Sequence, residues 1–329
     1  MSWLPPSIVA AVSIIFAMGL LIQSGKVVVR SVSQLARRLG FSEYVLSFVL
    51  LAFATSLPEL SVGISAAIAR TPALSLGDIV GTNIVNLTLI MGVVAIVGRS
   101  VTVRDYEHFK SNRIFEFLIV LAPLLFLLDG VLSRIEASIL LVFFIWNLFR
   151  LLDIDDQIFG RKVLRPHLSS AATAGHDAGP STVRLAGTLL GAVGVLIAAT
   201  VLIVSSAQQL AVSFGVSEVL IGLFIIATAT SLPELTIGIR SVTQAKGGLA
   251  LGDIMGAAAI NATFILALVA LIEPIVVPDV TIIWKSLGFT AVAFLLLFYF
   301  LHTKRALSRG EGFVLCGWYL LFVLTQLWW

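Results

Sequence analysis

Apolar runs recur along the whole chain, and each is about as long as the roughly 20 residues that an α-helix needs to cross a bilayer. The backbone inside a bilayer must satisfy its own hydrogen bonds, so such runs predict transmembrane α-helices. The composition agrees, since 59% of the residues are hydrophobic and only 12% are charged. The sequence therefore predicts an all-α polytopic membrane protein with ten spans. These lie approximately at residues 5–24, 44–69, 74–98, 113–129, 133–150, 185–212, 217–240, 248–274, 280–302 and 311–328.

The basic residues are distributed unevenly between the two sides that ten spans would create. All but three of the 21 Lys and Arg residues lie in or beside the loops that follow odd-numbered spans, and the exceptions are Arg70, Arg134 and Lys285. The positive-inside rule places those loops in the cytoplasm and both termini outside. The basic loops thus indicate topology and a lipid bilayer as partner, and they give no reason to expect nucleic acid. No obligate protein partner is evident, and the expected location is a cell membrane of prokaryotic type.

An internal repeat indicates the architecture. A shift of 175 residues aligns "GFSEYVLSFVLLAFATSLPEL" (40–60) with "GVSEVLIGLFIIATATSLPEL" (215–235), and it aligns "LGDIVGTNIVNLT" (76–88) with "LGDIMGAAAINAT" (251–263). One offset without gaps is typical of a duplication. Each half has five runs, an odd number, so the second half should enter the membrane in the opposite direction. We therefore predict a five-plus-five inverted repeat, which is an architecture of secondary transporters.

The repeat also defines the predicted organisation of the chain. The first five-helix repeat covers residues 1–150, a cytoplasmic linker covers 151–184, and the second, inverted five-helix repeat covers 185–329. The linker prediction depends on the segment 167–184, which is rich in Ser, Ala and Gly.

The shared motif "TSLPEL" places a proline inside the second and seventh predicted spans, at 44–69 and 217–240. Proline has no N–H to donate, so Pro58 should free the carbonyl of Ala54, and Pro233 that of Ala229. Broken helices within a membrane are tolerated where they are buried in protein or line a cavity. We therefore predict that the helices of the second and seventh spans are broken near the membrane midplane and direct oxygen atoms towards the interior of the helix bundle.

Glu59 and Glu234 directly follow these prolines. An intramembrane carboxylate costs several kcal/mol unless a proton, a cation or hydrogen bonds compensate it. Two carboxylates brought together by a twofold axis, with hydroxyl and carbonyl oxygens around them, suit Ca²⁺. They do not suit Zn²⁺ or Cu⁺, because no His, Cys or thioether cluster accompanies them. The alternative is a structural role, with each glutamate protonated or paired with Arg.

The third and eighth predicted spans, at 74–98 and 248–274, should supply the opposing wall of the site. Thr82 and Asn86 are four residues apart and share a helix face, with Asp78 one turn earlier. The counterparts in the second half are Asp253, Ala257 and Asn261. We expect the Gly-Asp pairs to open these helices, so that Asp78 and Asp253 either cap a helix or contact an ion.

These motifs resemble the two alpha-repeats of the calcium/cation antiporter superfamily, especially its sodium/calcium exchanger branch. There the repeats read approximately G-T-S-[LI]-P-E and G-N-x-x-G-S-N. The resemblance covers both halves, and it implies alternating access in which Na⁺ influx drives Ca²⁺ out through one central cluster of ion sites. It also implies a set of ion ligands: Thr55, Ser56, Glu59, Thr82, Asn86, Thr230, Ser231, Glu234 and Asn261, with the backbone carbonyls of Ala52 and Ala227.

The sequence departs from the family pattern in three places. Ala54 and Ala229 replace the motif glycine, both repeats have G-D where G-N is expected, and the second G-S-N is Gly-Ala-Ala at 256–258. Asn261 also stands where an Asp is often found. A hydroxyl ligand is therefore missing from the eighth predicted span, at 248–274. Asp78 and Asp253 are candidate replacements, and protons are the alternative coupling ion.

The sequence thus predicts a secondary active antiporter that exports Ca²⁺ in exchange for Na⁺ and needs no cofactor. The nearest alternative is exchange of H⁺ for Ca²⁺ or another divalent cation, and a cation channel is a more distant one. An enzyme is not expected. Ser56 or Ser231 would need a base within reach to act as a nucleophile, and no His or Lys lies mid-span near them.

Overall fold

A computed structural model of the chain describes residues 5–38, 51–98, 100–102, 106–159, 182–244, 247–304 and 306–327. These residues are almost entirely helical. The elements of the first half are α1 (Pro6–Arg38), α2 (Leu51–Thr55), α3 (Leu57–Ile68), α4 (Pro72–Val85), a π-helical segment π1 (Asn86–Ile90), α5 (Met91–Gly98), β1 (Ser100–Thr102), α6 (Tyr106–Phe126), a 3₁₀ turn (Leu127–Asp129), β2 (Val131–Leu132) and α7 (Arg134–Phe159).

The second half repeats this order. Its elements are α8 (Thr182–Phe214), α9 (Glu218–Ile221), π2 (Gly222–Ile226), α10 (Ala227–Thr230), α11 (Leu232–Thr243), α12 (Gly247–Ala259), π3 (Ile260–Ile265), α13 (Leu266–Ile272), β3 (Ile275–Val276), α14 (Thr281–Lys304), β4 (Ala306–Ser308) and α15 (Arg309–Leu327).

Six helices of the described part are both long and apolar enough to cross a membrane. They are Pro6–Val28, Pro72–Gly98, Val183–Phe214, Glu218–Thr243, Ala250–Ile272 and Thr281–His302. The protein is therefore a polytopic α-helical membrane protein. The runs predicted at 113–129, 133–150 and 311–328 are also helical, in α6, α7 and α15. The run at 44–69 is described only from residue 51, and most of the predicted linker 151–184 lies outside the described residues.

Two short antiparallel ribbons mark opposite ends of the bundle. β1 pairs with β4, and β2 pairs with β3. α6 leads from β1 towards β2, whereas α14 leads from β3 to β4. α6 and α14, which occupy equivalent positions in the two halves, therefore run in opposite directions between the same two ribbons.

The centre of the bundle is the most completely buried part. Almost every residue from Leu74 to Ile90 is buried, and so is almost every residue from Ala250 to Thr263. α1 packs along α8, and both helices expose large apolar side chains such as Phe16 and Leu190 on their outer faces. Exposed apolar faces on long helices are what a protein surrounded by lipid requires. The predicted site residues thus lie on the protected inner helices.

Candidate functional site

The repeated proline motif interrupts two helices at a single residue each. α2 ends at Thr55 and α3 begins at Leu57, so Ser56 lies between them, and Ser231 separates α10 from α11 in the same way. Pro58 and Pro233 occupy the first turn of the helices that follow, a position where the missing N–H costs no hydrogen bond. The break is mild, because the backbone N–H of Ser56 still donates to the carbonyl of Ala52 at 3.0 Å.

Glu59 and Glu234 lie immediately beyond these breaks and are completely buried, each with 0% of its surface exposed. None of their four carboxylate oxygens has a hydrogen-bond partner among the described residues. The two carboxylates are close enough to interact electrostatically, and Asp78 is close to both. A buried carboxylate without a partner is strongly destabilised unless a proton or a cation compensates it. Within the described part of the chain, no Arg side chain pairs with either carboxylate, as a paired structural role would require.

Asp78 and Asp253 do not begin their helices. α4 begins at Pro72 and α12 at Gly247, so each aspartate lies six residues further on, in the helix interior. The prediction that the Gly-Asp pairs open these helices is therefore wrong, and helix capping does not explain either residue. α4 starts earlier because Pro72 is favourable at a first helical position.

Both aspartates instead accept hydrogen bonds from the opposite half of the chain. The hydroxyl of Thr230 donates to Asp78 Oδ1 at 3.1 Å, and the hydroxyl of Thr55 approaches Asp253 Oδ1 at 3.5 Å. These two contacts are equivalent at the offset of the sequence repeat. Thr82 adds a further contact, because its hydroxyl lies 3.1 Å from that of Thr230. Each aspartate keeps a second buried oxygen, Oδ2, without a partner among the described residues.

The carbonyls of Ala52 and Ala227 face hydroxyl groups of the motif. Thr55 donates to the carbonyl of Ala52 at 3.1 Å, and Thr230 and Ser231 approach the carbonyl of Ala227 at 3.3 and 2.7 Å. The structure thus places hydroxyl and carbonyl oxygens close together at both helix breaks.

Asn86 and Asn261 lie where the central helices become π-helical. Asn86 is the first residue of π1, and Asn261 is the second residue of π3. Both side chains are 0% exposed, and neither amide group has a hydrogen-bond partner among the described residues. Single π-turns inside α-helices occur frequently at functional sites because they redirect side chains. The sequence carries no signal that would have predicted these segments.

Glycines allow the two halves to approach at backbone distance. A Cβ atom on Gly77 would overlap the carbonyl of Val219, and one on Gly81 would overlap the carbonyl of Leu223. α4 therefore packs directly against the backbone of α9 and π2. This contact brings Asp78 and Thr82, which follow each glycine by one residue, against Thr230 of α10.

Asn83 is buried beside the candidate site, and the sequence motifs did not lead us to predict it as a site residue. Its side chain donates to the carbonyl of Ala258 at 3.5 Å, and the two residues are 175 positions apart, the offset of the repeat. The signal was available, because Asn83 directly follows the predicted ligand Thr82 and aligns with Ala258.

The chemistry of the assembled site is that of a hard-cation site. Among the described residues, no three Asp, Glu, His or Cys side chains lie close enough together to hold a metal ion by themselves. The carboxylates are instead interleaved with hydroxyl, amide and carbonyl oxygens. Mixed oxygen ligands of this kind suit Ca²⁺ and other hard cations, whose coordination is flexible and need not be all-carboxylate.

Comparison with known proteins identifies the family. The family model described as sodium/calcium exchanger protein matches residues 9–152 and again residues 184–328. The chain belongs to the sodium/calcium exchanger family. This confirms the resemblance that the sequence motifs indicate.

Named relatives agree with this assignment, and a solved structure agrees in fold. CaxA of Alkalimonas amylolytica, named as an antiporter, is 31% identical over 94% of this chain and 95% of its own length. The sodium/calcium exchanger MaX1 of Methanosarcina acetivorans is 28% identical over 93% of this chain and 95% of its own. The structure of the sodium-calcium exchanger NCX_Mj superimposes with a TM-score of 0.66 at 23% identity, covering 97% of this chain and 99% of that one.

Membership in the sodium/calcium exchanger family makes the chain an integral membrane cation antiporter, whose substrates are inorganic cations. Its named relatives are an antiporter and an exchanger. The family assignment concerns the whole described bundle, since the two matched ranges cover both halves of the repeat.

Proposed function

We propose that the protein exports Ca²⁺ in exchange for Na⁺ by alternating access through one central site. The observation that carries the proposal is the pair of fully buried glutamates, Glu59 and Glu234, whose carboxylate oxygens have no partner among the described residues. A divalent cation would neutralise this pair. The further ligands we propose are Thr55, Ser56, Asp78, Thr82, Asn86, Thr230, Ser231, Asp253 and Asn261 with the carbonyls of Ala52 and Ala227, all of which are buried.

Burial of the site favours alternating access over a channel. Both glutamates and the hydroxyls around them are buried among the described residues of this structure. A channel conducts through a continuous pore. An exchanger requires a state in which the ion is shielded from both sides.

The inverted repeat of ten helices is part of the proposal. The opposite directions of α6 and α14 between the two ribbons support it. The contact between Asn83 and its own counterpart Ala258 supports a pseudo-twofold axis at that point. In this scheme residues 1–150 and 185–329 form the two repeats, the linker 151–184 is cytoplasmic, both termini are external, and the membrane is of prokaryotic type.

Exchange of H⁺ for a divalent cation is the second candidate. The observation that favours it is the replacement of a hydroxyl by Ala257, which removes an oxygen ligand from α12 beside Asp253. Na⁺ needs several oxygen ligands, whereas a proton binds a single carboxylate oxygen. The loss of a neutral oxygen therefore weakens a Na⁺ site more than a protonation site.

Flux measurements in proteoliposomes separate these candidates. We expect Ca²⁺ uptake into Na⁺-loaded vesicles to stop when the Na⁺ gradient is removed at constant pH. Uptake that persists on a pH gradient alone would replace Na⁺ by H⁺ as the coupling ion. Uptake that follows the Ca²⁺ gradient and needs no counter-ion would contradict antiport and favour a channel.

A further inference from the structure

A small cavity lies between the central helix α4 and the helices α6 and α14. The centre of a water molecule has about 10 Å³ of free space in it, close to the roughly 10–15 Å³ that one water needs. Asn83 and Thr290 are its polar lining residues, and the rest of its lining, which includes Val120, Pro123 and Leu266, is apolar. The cavity is therefore too small for an organic ligand, and its lining has no charged group to hold an ion.

Both polar lining residues are buried, and each has an unused hydrogen-bonding atom. Asn83 is 4% exposed and Thr290 is 1% exposed. Asn83 Nδ2 donates to the carbonyl of Ala258, but Asn83 Oδ1 has no partner among the described residues, and neither has the Thr290 hydroxyl. Buried polar atoms in folded proteins are nearly always hydrogen-bonded to protein or to ordered water. These two atoms therefore require a partner.

Pro123 provides a third polar group at the cavity. It lies inside α6 and has no N–H, so the carbonyl of Ile119, one turn earlier, lacks its usual helical donor beside the proline ring. Asn83 Oδ1 and this carbonyl can only accept hydrogen bonds, whereas the Thr290 hydroxyl can donate one. A water molecule matches this set, because it donates two hydrogen bonds and accepts others.

We infer that this cavity is a binding site for one ordered water molecule, which donates to Asn83 Oδ1 and to the Ile119 carbonyl and accepts from the Thr290 hydroxyl. The water connects α4 with α6 and α14. Because it holds Oδ1, it also keeps Nδ2 of Asn83 directed at the carbonyl of Ala258, on the central helix α12 of the other half. Asn83 is thus a positioning residue for α4, the helix that carries Asp78 and Thr82.

The site belongs to one half of the repeat. At the offset of 175 residues, the counterparts of Asn83, Thr290 and Pro123 are Ala258, Phe115 and Phe298. These three side chains carry no polar atom, so the equivalent positions cannot hold a water in the same way. The water site is therefore a point at which the two halves differ in chemistry.

A crystal structure of the purified full-length protein, at a resolution that shows ordered waters, tests the site directly. We expect a density peak within about 2.5–3.2 Å of both Asn83 Oδ1 and the Thr290 hydroxyl. The peak should persist in Thr290→Ser, which keeps the hydroxyl. It should be absent from the double variant Asn83→Leu/Thr290→Val, because a cavity with an apolar lining stays dry. An empty cavity in the wild-type protein, or a peak that contacts only one of the two side chains, would overturn the inference.

Thermal unfolding in detergent gives a second readout that needs no crystals. Asn83→Leu and Thr290→Val should each lower the melting temperature by about 2 °C or more. The double variant should lower it by less than the sum, because both substitutions remove the same water. Asn83→Leu with Thr200→Val is the matched control pair and should be additive, since Thr200 is also buried but its hydroxyl donates to the carbonyl of Ile197 at 2.9 Å. Additive effects of Asn83→Leu and Thr290→Val would contradict a shared water. The inference does not depend on which ion is transported, so neither result bears on the proposed function.

Discussion

At the scale of single residues, the unusual feature is four carboxylates within one buried region. Glu59, Asp78, Glu234 and Asp253 are all at most 1% exposed, and the buried residues of the described part include no Lys, Arg or His. Burying even one uncompensated charge is costly. The four carboxylates therefore require bound cations or protons to compensate them, and one Ca²⁺ would neutralise only two of four negative charges.

Replacement of either glutamate tests this charge balance. Glu59→Gln and Glu234→Gln keep the size and shape of the side chain but remove one negative charge. At an effective dielectric of about 20 and a distance of about 5 Å, the Coulomb attraction between that charge and a divalent ion is on the order of 7 kcal/mol, and desolvation of the two groups offsets roughly half of it. Affinity for Ca²⁺ should therefore fall by roughly a hundredfold in each variant. Calorimetry on monodisperse protein measures this, with Glu218→Gln as control, and normal Ca²⁺ transport by either central variant would show that these glutamates are structural.

Residue identity predicted much of the candidate site, because the repeated motif names its members twice. The sequence pointed to Glu59 and Glu234, and the structure brings both into one buried region. It could not predict which hydroxyl meets which aspartate. The contact of Thr230 with Asp78 depends on how α10 faces α4, which is a property of tertiary packing and leaves no local pattern.

At the scale of elements, the decisive contact is the close packing of α4 against α9 and π2. Helix length and position followed from hydrophobic runs, since the run predicted at 74–98 corresponds to the continuous helical segment Pro72–Gly98. The separate expectation that the Gly-Asp pair opens this helix was wrong, because the pair lies in the helix interior. In the structure Gly77 instead serves close packing, a role that a single sequence does not distinguish from a helix boundary.

Substitution of Gly81 tests this packing. In Gly81→Ala the added Cβ would overlap the Leu223 carbonyl and crowd the Cβ of Ala227, and a backbone carbonyl cannot move aside as a side chain can. The helices must separate, so we expect a destabilisation of about 1–3 kcal/mol, typical of overpacking, and weaker Ca²⁺ binding. Thermal unfolding in detergent measures the first effect. Gly194→Ala is the matched control, since its added Cβ would meet nothing within 4 Å, and equal melting temperatures for both variants would contradict the packing argument.

At the scale of the whole molecule, the two ribbons relate the halves to each other. At the start of α7 the Ser133 hydroxyl donates to the Glu136 carboxylate at 2.8 Å. At the start of α15 the Ser308 hydroxyl donates to the Glu311 carboxylate at 2.7 Å. Such recurrence follows from duplication and could be expected from the sequence. The pairing of β1 with β4 and of β2 with β3 could not, because these strands are only two or three residues long and carry no strand pattern.

The topology of the whole chain can be tested by the accessibility of single cysteines. In a Cys316→Ala background, Asp279→Cys lies between β3 and α14, at the ribbon that we assign to the external side, and Asp279 is exposed. Gly175→Cys lies in the predicted cytoplasmic linker. A membrane-impermeant thiol reagent added to intact cells should label position 279 and should label position 175 only after the membrane is opened. The physical reason is the positive-inside rule, because the opposite orientation would place all but three of the 21 basic residues outside. Labelling of both positions in intact cells would be incompatible with the proposed topology, since three predicted spans, an odd number, separate position 175 from position 279 and the two must lie on opposite sides of the membrane. Labelling of position 175 alone would keep the repeat and reverse its orientation.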